Sequence, residues 1–285
     1  MSSIIDDLKQ QYKFGGITQR LIYWNIACFI VSYVIFGLLQ IDFLSFVSLS
    51  SNPADLLWKP WSILSYSFFH SDFIHIFFNL IVLHFSGQLF LTFFTQKQLL
   101  GLYLLSALFS GAVFVVAFYL MEVVSPIVGA SGAIMAILVA TTVYQPLMNL
   151  RLMLIGNVKL WHVTVVVLLI DVMQLRLENS GGHIAHLAGA FFGFVFIKFL
   201  QNGTDLSKIV SNLFDFFVNL FTKTESKPFK KVHRNYQKPV SKPAFRIVSK
   251  DKTQQQIDEI LDKISKSGYD CLTKEEKEFL FKAGK

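Results

Sequence analysis

Six apolar stretches constrain this chain more than any other feature: about 21–40, 73–94, 99–121, 128–144, 160–177 and 183–200. Each is roughly long enough to cross about 30 Å of hydrocarbon as a helix. No water is available inside a bilayer to pair backbone N–H and C=O groups, so stretches of this kind must form helices packed as a bundle. The fold class expected is therefore all-α and polytopic. The fourth stretch is the shortest and is stopped by Pro146. A short helix among longer ones would begin below the membrane surface, leaving a water-accessible hollow above it. With 53% hydrophobic residues and 30 Phe, the composition excludes an ordinary soluble globule. The first apolar stretch is too long for a signal-peptide core and lacks a small-residue cleavage site. Cys28 lies in a span and Cys271 in the polar tail, so neither a disulfide framework nor a cysteine metal site is expected.

Lysine and arginine asymmetry sets the orientation. Lys9, Lys13, Arg20, Lys97, Arg151 and Lys159 fall on one side together with the basic tail, against Lys59 and Arg176 on the other. Both termini are thus expected in the cytoplasm, with Ser131 opening its helix on the outer side. The first outer loop, 41–72, is rich in Phe, Leu, Trp and Tyr, and is expected to lie partly embedded in the outer interface. The sequence divides into a cytoplasmic segment (1–20), a six-helix domain (21–202), an amphipathic membrane-surface helix (203–226), a polybasic linker (227–252) and a small helical hairpin (253–285). Docking of the amphipathic helix on the bundle is its second reading. The linker carries nine basic residues against Asp251 and suits anionic lipid headgroups, with nucleic acid ranked well below because the linker is tethered to the membrane. In the hairpin, Gly268 is placed to end the first helix, and Thr273 with Glu276 forms a capping box for the second.

Three groups of polar residues interrupt the apolar spans. Gly129-Ala130-Ser131-Gly132 opens the fourth; taken alone it reads as a small-residue packing strip. The second span begins with His70, His75 and Asn79, the last two one helical turn apart on one face. Taken alone, such a pair reads as a tie between helices. The sixth span begins with His183 and His186, followed by Gly189 and Gly193, a small-xxx-small face that admits a close helix neighbour. A serine and a histidine brought together by two tightly packed helices make the minimum nucleophile and base pair.

These three motifs, in this order on these spans, resemble the rhomboid family of intramembrane serine proteases, over about residues 20–200. The resemblance implies a six-transmembrane-helix rhomboid bundle with an embedded first outer loop and a small helical C-terminal tail, in the layout of a bacterial inner-membrane protein. It implies Ser131 as nucleophile and His186 as general base, a dyad without an acidic member. His75, Asn79 and the Ser131 backbone N–H would form the oxyanion hole. His70, Gly129, Gly132, Gly189 and Gly193 would be supporting residues. Substrates would be transmembrane proteins with helix-weakening residues and a small side chain at the cut; no cofactor or metal is implied.

Two departures from the family pattern bear on positioning. Trp61-Ser62 stands where a tryptophan-arginine pair is frequent. Met135 stands where many members place an aromatic ring on the catalytic imidazole. Asp171, the one carboxylate inside a span, reads as a residue reaching towards the outer surface with Arg176 as a possible partner, a poor choice for a third catalytic member. His183 has no role assigned from sequence. Two rivals remain: a metal site built from His70, His75, His183 and His186, to which Asp171 could be recruited but for which the His-Glu-x-x-His pattern is absent, and a catalytically inactive rhomboid-like protein that binds transmembrane helices. A small transporter would be expected to show internal repeats or paired broken helices, and neither is evident.

Overall fold

A computed structural model describes residues 3–152, 156–175, 180–221 and 252–283. The chain divides into two compact units, Met1–Thr224 and Glu225–Lys285. In the first unit, α1 (Ile4–Phe14) starts at a capping box formed by Ser3 and Asp6. Helix α2 (Gly16–Phe29) continues as a π-helical stretch, Ile30–Phe36. The outer loop that follows holds α3 (Leu44–Val47), strand β1 (Leu49–Ser50), α4 (Asp55–Trp58), α5 (Ser62–Ser65) and a 3-10 turn, Tyr66–Phe68. Then come α6 (Phe73–Leu91), α7 (Gln96–Leu120), strand β2 (Pro126–Ile127), α8 (Ser131–Tyr144), the hairpin β3 (Asn149–Leu152) with β4 (Gly156–Lys159), α9 (Leu160–Gln174), α10 (Ser180–Gln201) and α11 (Ser207–Phe221).

Among the described residues, four helices are long and apolar enough to cross a membrane: α2 with its π continuation, α6, α7 and α10. The apolar helices α8 and α9 are shorter, with 14 and 15 residues. The chain is an integral membrane protein with an all-α polytopic bundle. Apolar side chains face outward along α6 and α9, including Phe73, Phe77, Phe85, Val166 and Met173, as a lipid solvent permits and water would not.

Helix α8 is the centre of the bundle. Gly132 to Thr142 are all buried, and the helix is packed by α6, α7, α9 and α10. At about 1.5 Å per residue it spans only about 21 Å, so its neighbours overreach it. A Cβ placed on Gly189 would collide with the Gly132 carbonyl oxygen, and one on Gly193 with that of Ala136. α10 therefore lies backbone against backbone on α8. Polar ties complete the frame: Thr142 and Thr164 hydroxyls meet at 2.6 Å between α8 and α9, and Tyr103 donates to the Ser67 carbonyl at 2.8 Å.

Helix α11 shows the docking that was the second reading made from sequence. Its start is docked on α7, where Ser207 covers Gly101 and Gln98 donates to Asp205 at 3.2 Å, while Ile209, Leu213, Phe214, Phe217 and Leu220 remain exposed. Of the basic linker assigned to 227–252, only Lys252 falls within the described residues. In the second unit, α12 (Lys252–Ser267) ends at Gly268, whose φ of +77° suits glycine, and α13 (Lys274–Ala283) begins at a reciprocal Thr273–Glu276 cap. Lys263 lies 2.5 Å from Glu276 and joins the two helices.

Gly193→Leu should destabilise the bundle by at least about 1–3 kcal/mol, because the α8 backbone leaves no room to repack. Gly37→Leu is the control, since nothing lies within 4 Å of a Cβ there. Thermal unfolding in mild detergent should show a lowered midpoint for the first and little change for the second.

Candidate active site

The start of α8 is built by the loops around it. Strand β1 pairs antiparallel with β2, Leu49 opposite Ile127 and Ser50 opposite Pro126. Ser51 extends the pairing, its backbone N–H donating to the Ser125 carbonyl at 3.0 Å and its hydroxyl to Val123 at 2.9 Å. The Gly129 N–H then donates to the Tyr66 carbonyl at 2.9 Å. Gly129 has φ +135°, and a Cβ there would lie 2.9 Å from the His75 ring. Both backbone angle and space demand glycine at this turn.

The helix that follows has Ala130 at its N-cap and no side-chain cap, whereas α1, α6 and α7 use Ser3, Asp72 and Thr95. The first N–H groups of a helix have no acceptor within it. At α8 no capping side chain takes one up, so they stay available to a developing negative charge.

A cavity of about 430 Å³ opens at this helix start. Ser131, Gly129 and Gly132 line it from the α8 side, His75 and Asn79 from α6, and His186 from α10. Gly132, next to the serine, packs against the backbone carbonyl of Ala185, next to the histidine; a Cβ on Gly132 would sit 3.1 Å from that oxygen. His70 lies behind His75, the rings meeting edge to face at 5.0 Å. It is buried, and burial holds its imidazole near a pKa of about 3 and therefore neutral. Gly189 and Gly193 lie further along α10, against α8.

On the α6 side, the Asp72 side chain caps the helix by accepting the His75 backbone N–H at 2.8 Å. Ser71 bridges the Asp72 carboxylate at 2.8 Å and His75 Nδ1 at 3.1 Å. Asn79 Nδ2 donates back to the His75 carbonyl at 2.9 Å, which keeps one amide hydrogen for the cavity. The outer loop is anchored without an arginine after Trp61. The Trp61 indole donates to the Phe46 carbonyl at 3.0 Å, and the Lys59 ammonium to that of Ser45 at 2.9 Å.

Asp171 corrects its sequence reading. It is 5% exposed, and its Oδ1 lies 2.7 Å from His183 Nδ1 and 2.8 Å from His186 Nδ1. Arg176, the partner expected from sequence, lies outside the described residues. The one signal available in the sequence was the carboxylate itself, since an ionisable group inside a span rarely sits idle. The four histidines of the metal rival form two pairs, His70 with His75 and His183 with His186. Among the described residues, the group whose metal-ligating atoms come within 4.8 Å of one another is Asp171, His183 and His186.

The Asp72 cap has a pH signature. The His75 backbone N–H, then the Ser71 hydroxyl, hold the Asp72 carboxyl below the usual carboxylate range. A depressed folded-state pKa means the cap stabilises fully above the ordinary value and is lost as pH falls through the depressed one. Asp72→Ala should cost about 1 kcal/mol at neutral pH, and thermal unfolding should show the gap to wild type closing under acid.

A family model described as Rhomboid domain matches residues 57–202, and a second, described as Family of unknown function (DUF6576), matches residues 248–282. No curated protein matches the chain at a significant level. The first match takes in β2, α6 to α10 and every residue lining the cavity, over more than half of the chain. With the glycine-packed pair α8 and α10 and the serine at the start of the shorter helix, it places the chain in the rhomboid family, whose members are in general intramembrane serine proteases.

Proposed function

We propose that this protein is an intramembrane serine endopeptidase that cuts transmembrane segments of other membrane proteins. One observation carries the reading: Ser131, His186, His75 and Asn79 line a single cavity at a helix start that no side chain caps. Ser131 Oγ attacks the scissile carbonyl carbon while His186 Nε2 takes the hydroxyl proton. The oxyanion that forms is met by the Ser131 backbone N–H, the free Asn79 amide hydrogen and, once Ser71 turns its hydroxyl proton to His75 Nδ1, the His75 Nε2–H, with the positive end of the α8 dipole behind them. His186 then gives its proton to the leaving amine, the C–N bond breaks, and water releases the acyl group by the same route in reverse.

A helical substrate hides its carbonyls in its own hydrogen bonds, so substrates with helix-weakening residues and a small side chain at the cut fit best. The cavity is walled on its apolar side by Ile74, Phe78 and Val82 of α6 and by Val167 and Ile170 of α9. Side chains of that kind suit a segment arriving from lipid between these helices, with α9 and the outer loop as the gate. In this reading α8 and α9 are two further, short spans, both termini are cytoplasmic, and the setting is a bacterial inner membrane. The exposed apolar face of α11 and the basic linker hold the inner leaflet through its anionic headgroups.

The deciding experiment is cleavage of a transmembrane reporter in liposomes. Wild type should cut, and Ser131→Ala should not. Asn79→Ala, which removes one oxyanion donor, should lower kcat by about 10²–10³-fold. Equal cutting by wild type and Ser131→Ala would reject the serine mechanism. A helix-binding pseudoprotease would leave the reporter whole and Ser131 unlabelled by a fluorophosphonate. A disulfide joining α6 to α9 should stop cleavage; undiminished cleavage would reject access between them.

A further inference from the structure

We infer that Asp171 is a positioning residue that completes the site as a Ser131–His186–Asp171 triad; this rests on the serine-protease reading above. An ionised carboxylate can only accept hydrogen bonds. Asp171 Oδ1 lies 2.8 Å from His186 Nδ1 and 2.7 Å from His183 Nδ1, so both nitrogens donate to it. A neutral imidazole has one N–H. With the His186 proton held on Nδ1, Nε2 carries the lone pair, and that is the tautomer a base must have to take the serine proton.

Three further observations separate this from a simple tie between α9 and α10. First, Asp171 lines the same cavity as Ser131 and His186. Second, the carboxylate reaches both imidazoles through one oxygen, while buried Oδ2 has no hydrogen-bond partner among the described residues. The group is thus aimed at the two ring nitrogens rather than shared over a wider polar network. Third, Met135 lines the cavity from α8, where it offers a thioether rather than an aromatic face. A thioether on a flexible stem cannot hold a ring plane as an aromatic face does, so orientation of His186 falls to its Nδ1 partner. When Ser131 loses its proton, His186 becomes an imidazolium whose Nδ1–H still points at the carboxylate. Asp171 gains no proton in the step; its negative charge offsets the positive charge appearing 2.8 Å away. His183, which donates to the same oxygen, keeps the carboxylate seated beside the rings.

The test uses the full-length protein in liposomes with the transmembrane reporter, alongside wild type and Ser131→Ala. Asp171→Ala should lower kcat by about 10²–10⁴-fold with little change in KM, and should slow fluorophosphonate labelling of Ser131 in parallel. Asp171→Asn loses the charge and can turn its NH2 to Nδ1, which holds the wrong tautomer, so it should lose kcat about as heavily as Asp171→Ala while keeping the shape of the side chain. Formate, which fits the space vacated in the cavity, should restore part of kcat to Asp171→Ala and nothing to Ser131→Ala. Both variants within about threefold of wild type would overturn the inference. So would a loss in Asp171→Ala that formate leaves untouched and that follows a lowered thermal midpoint, because that is the behaviour of a structural tie. If wild type and Ser131→Ala cut alike, the serine mechanism falls and the triad with it. If that pair behaves as expected and Asp171→Ala cuts like wild type, the triad alone falls.

Discussion

The close contact of α8 with α10 is the interaction on which the rest depends. In lipid, helices gain little from burying apolar surface against one another, because the solvent is equally apolar. Association must come from dispersion and polar contacts, and both strengthen as backbones approach. Gly189 and Gly193 remove the side chains that would keep α10 away, and the carbonyls of Gly132 and Ala136 fill the space. This contact puts Gly132 beside Ala185, and so places the starts of the two motifs on one cavity wall.

The outer loop serves this contact from the other end. A short helix entered by an irregular segment needs its first residue held in place, because slack there would move the serine. Two residues of strand pairing, the Ser51 hydroxyl and the Tyr66 carbonyl hold the segment before Ser131. Gly129 makes the turn beneath the His75 ring. The loop expected from sequence to lie partly embedded in the outer interface is thus the scaffold of the helix start. Its anchoring through Trp61 and Lys59 to backbone carbonyls explains how it stays put without the arginine of the family pattern.

Much of the bundle was legible because lipid imposes a simple pattern. The helices α6, α7 and α10 begin and end within a few residues of the expected stretches, and the fourth stretch is the shortest apolar helix. The π-helical end of α2 was not legible, since no local residue choice announces an i to i+5 bond. The placement of Asp171 beside two histidines was missed for a related reason. Its partners lie 12 and 15 residues away on the next helix, and spacing across a turn carries no fixed geometry.

By itself the sequence determined the membrane class, the order of helices and the polar residues that could act, because hydrophobic length and helical spacing are local properties read directly from the chain. Tertiary structure alone decided which of seven histidines share a partner and that no side chain caps the helix start at Ser131. It also decided that the one carboxylate within the spans turns inward to the cavity. Those outcomes depend on how closely helix backbones approach and how far each is rotated, and both are set by packing across the whole bundle.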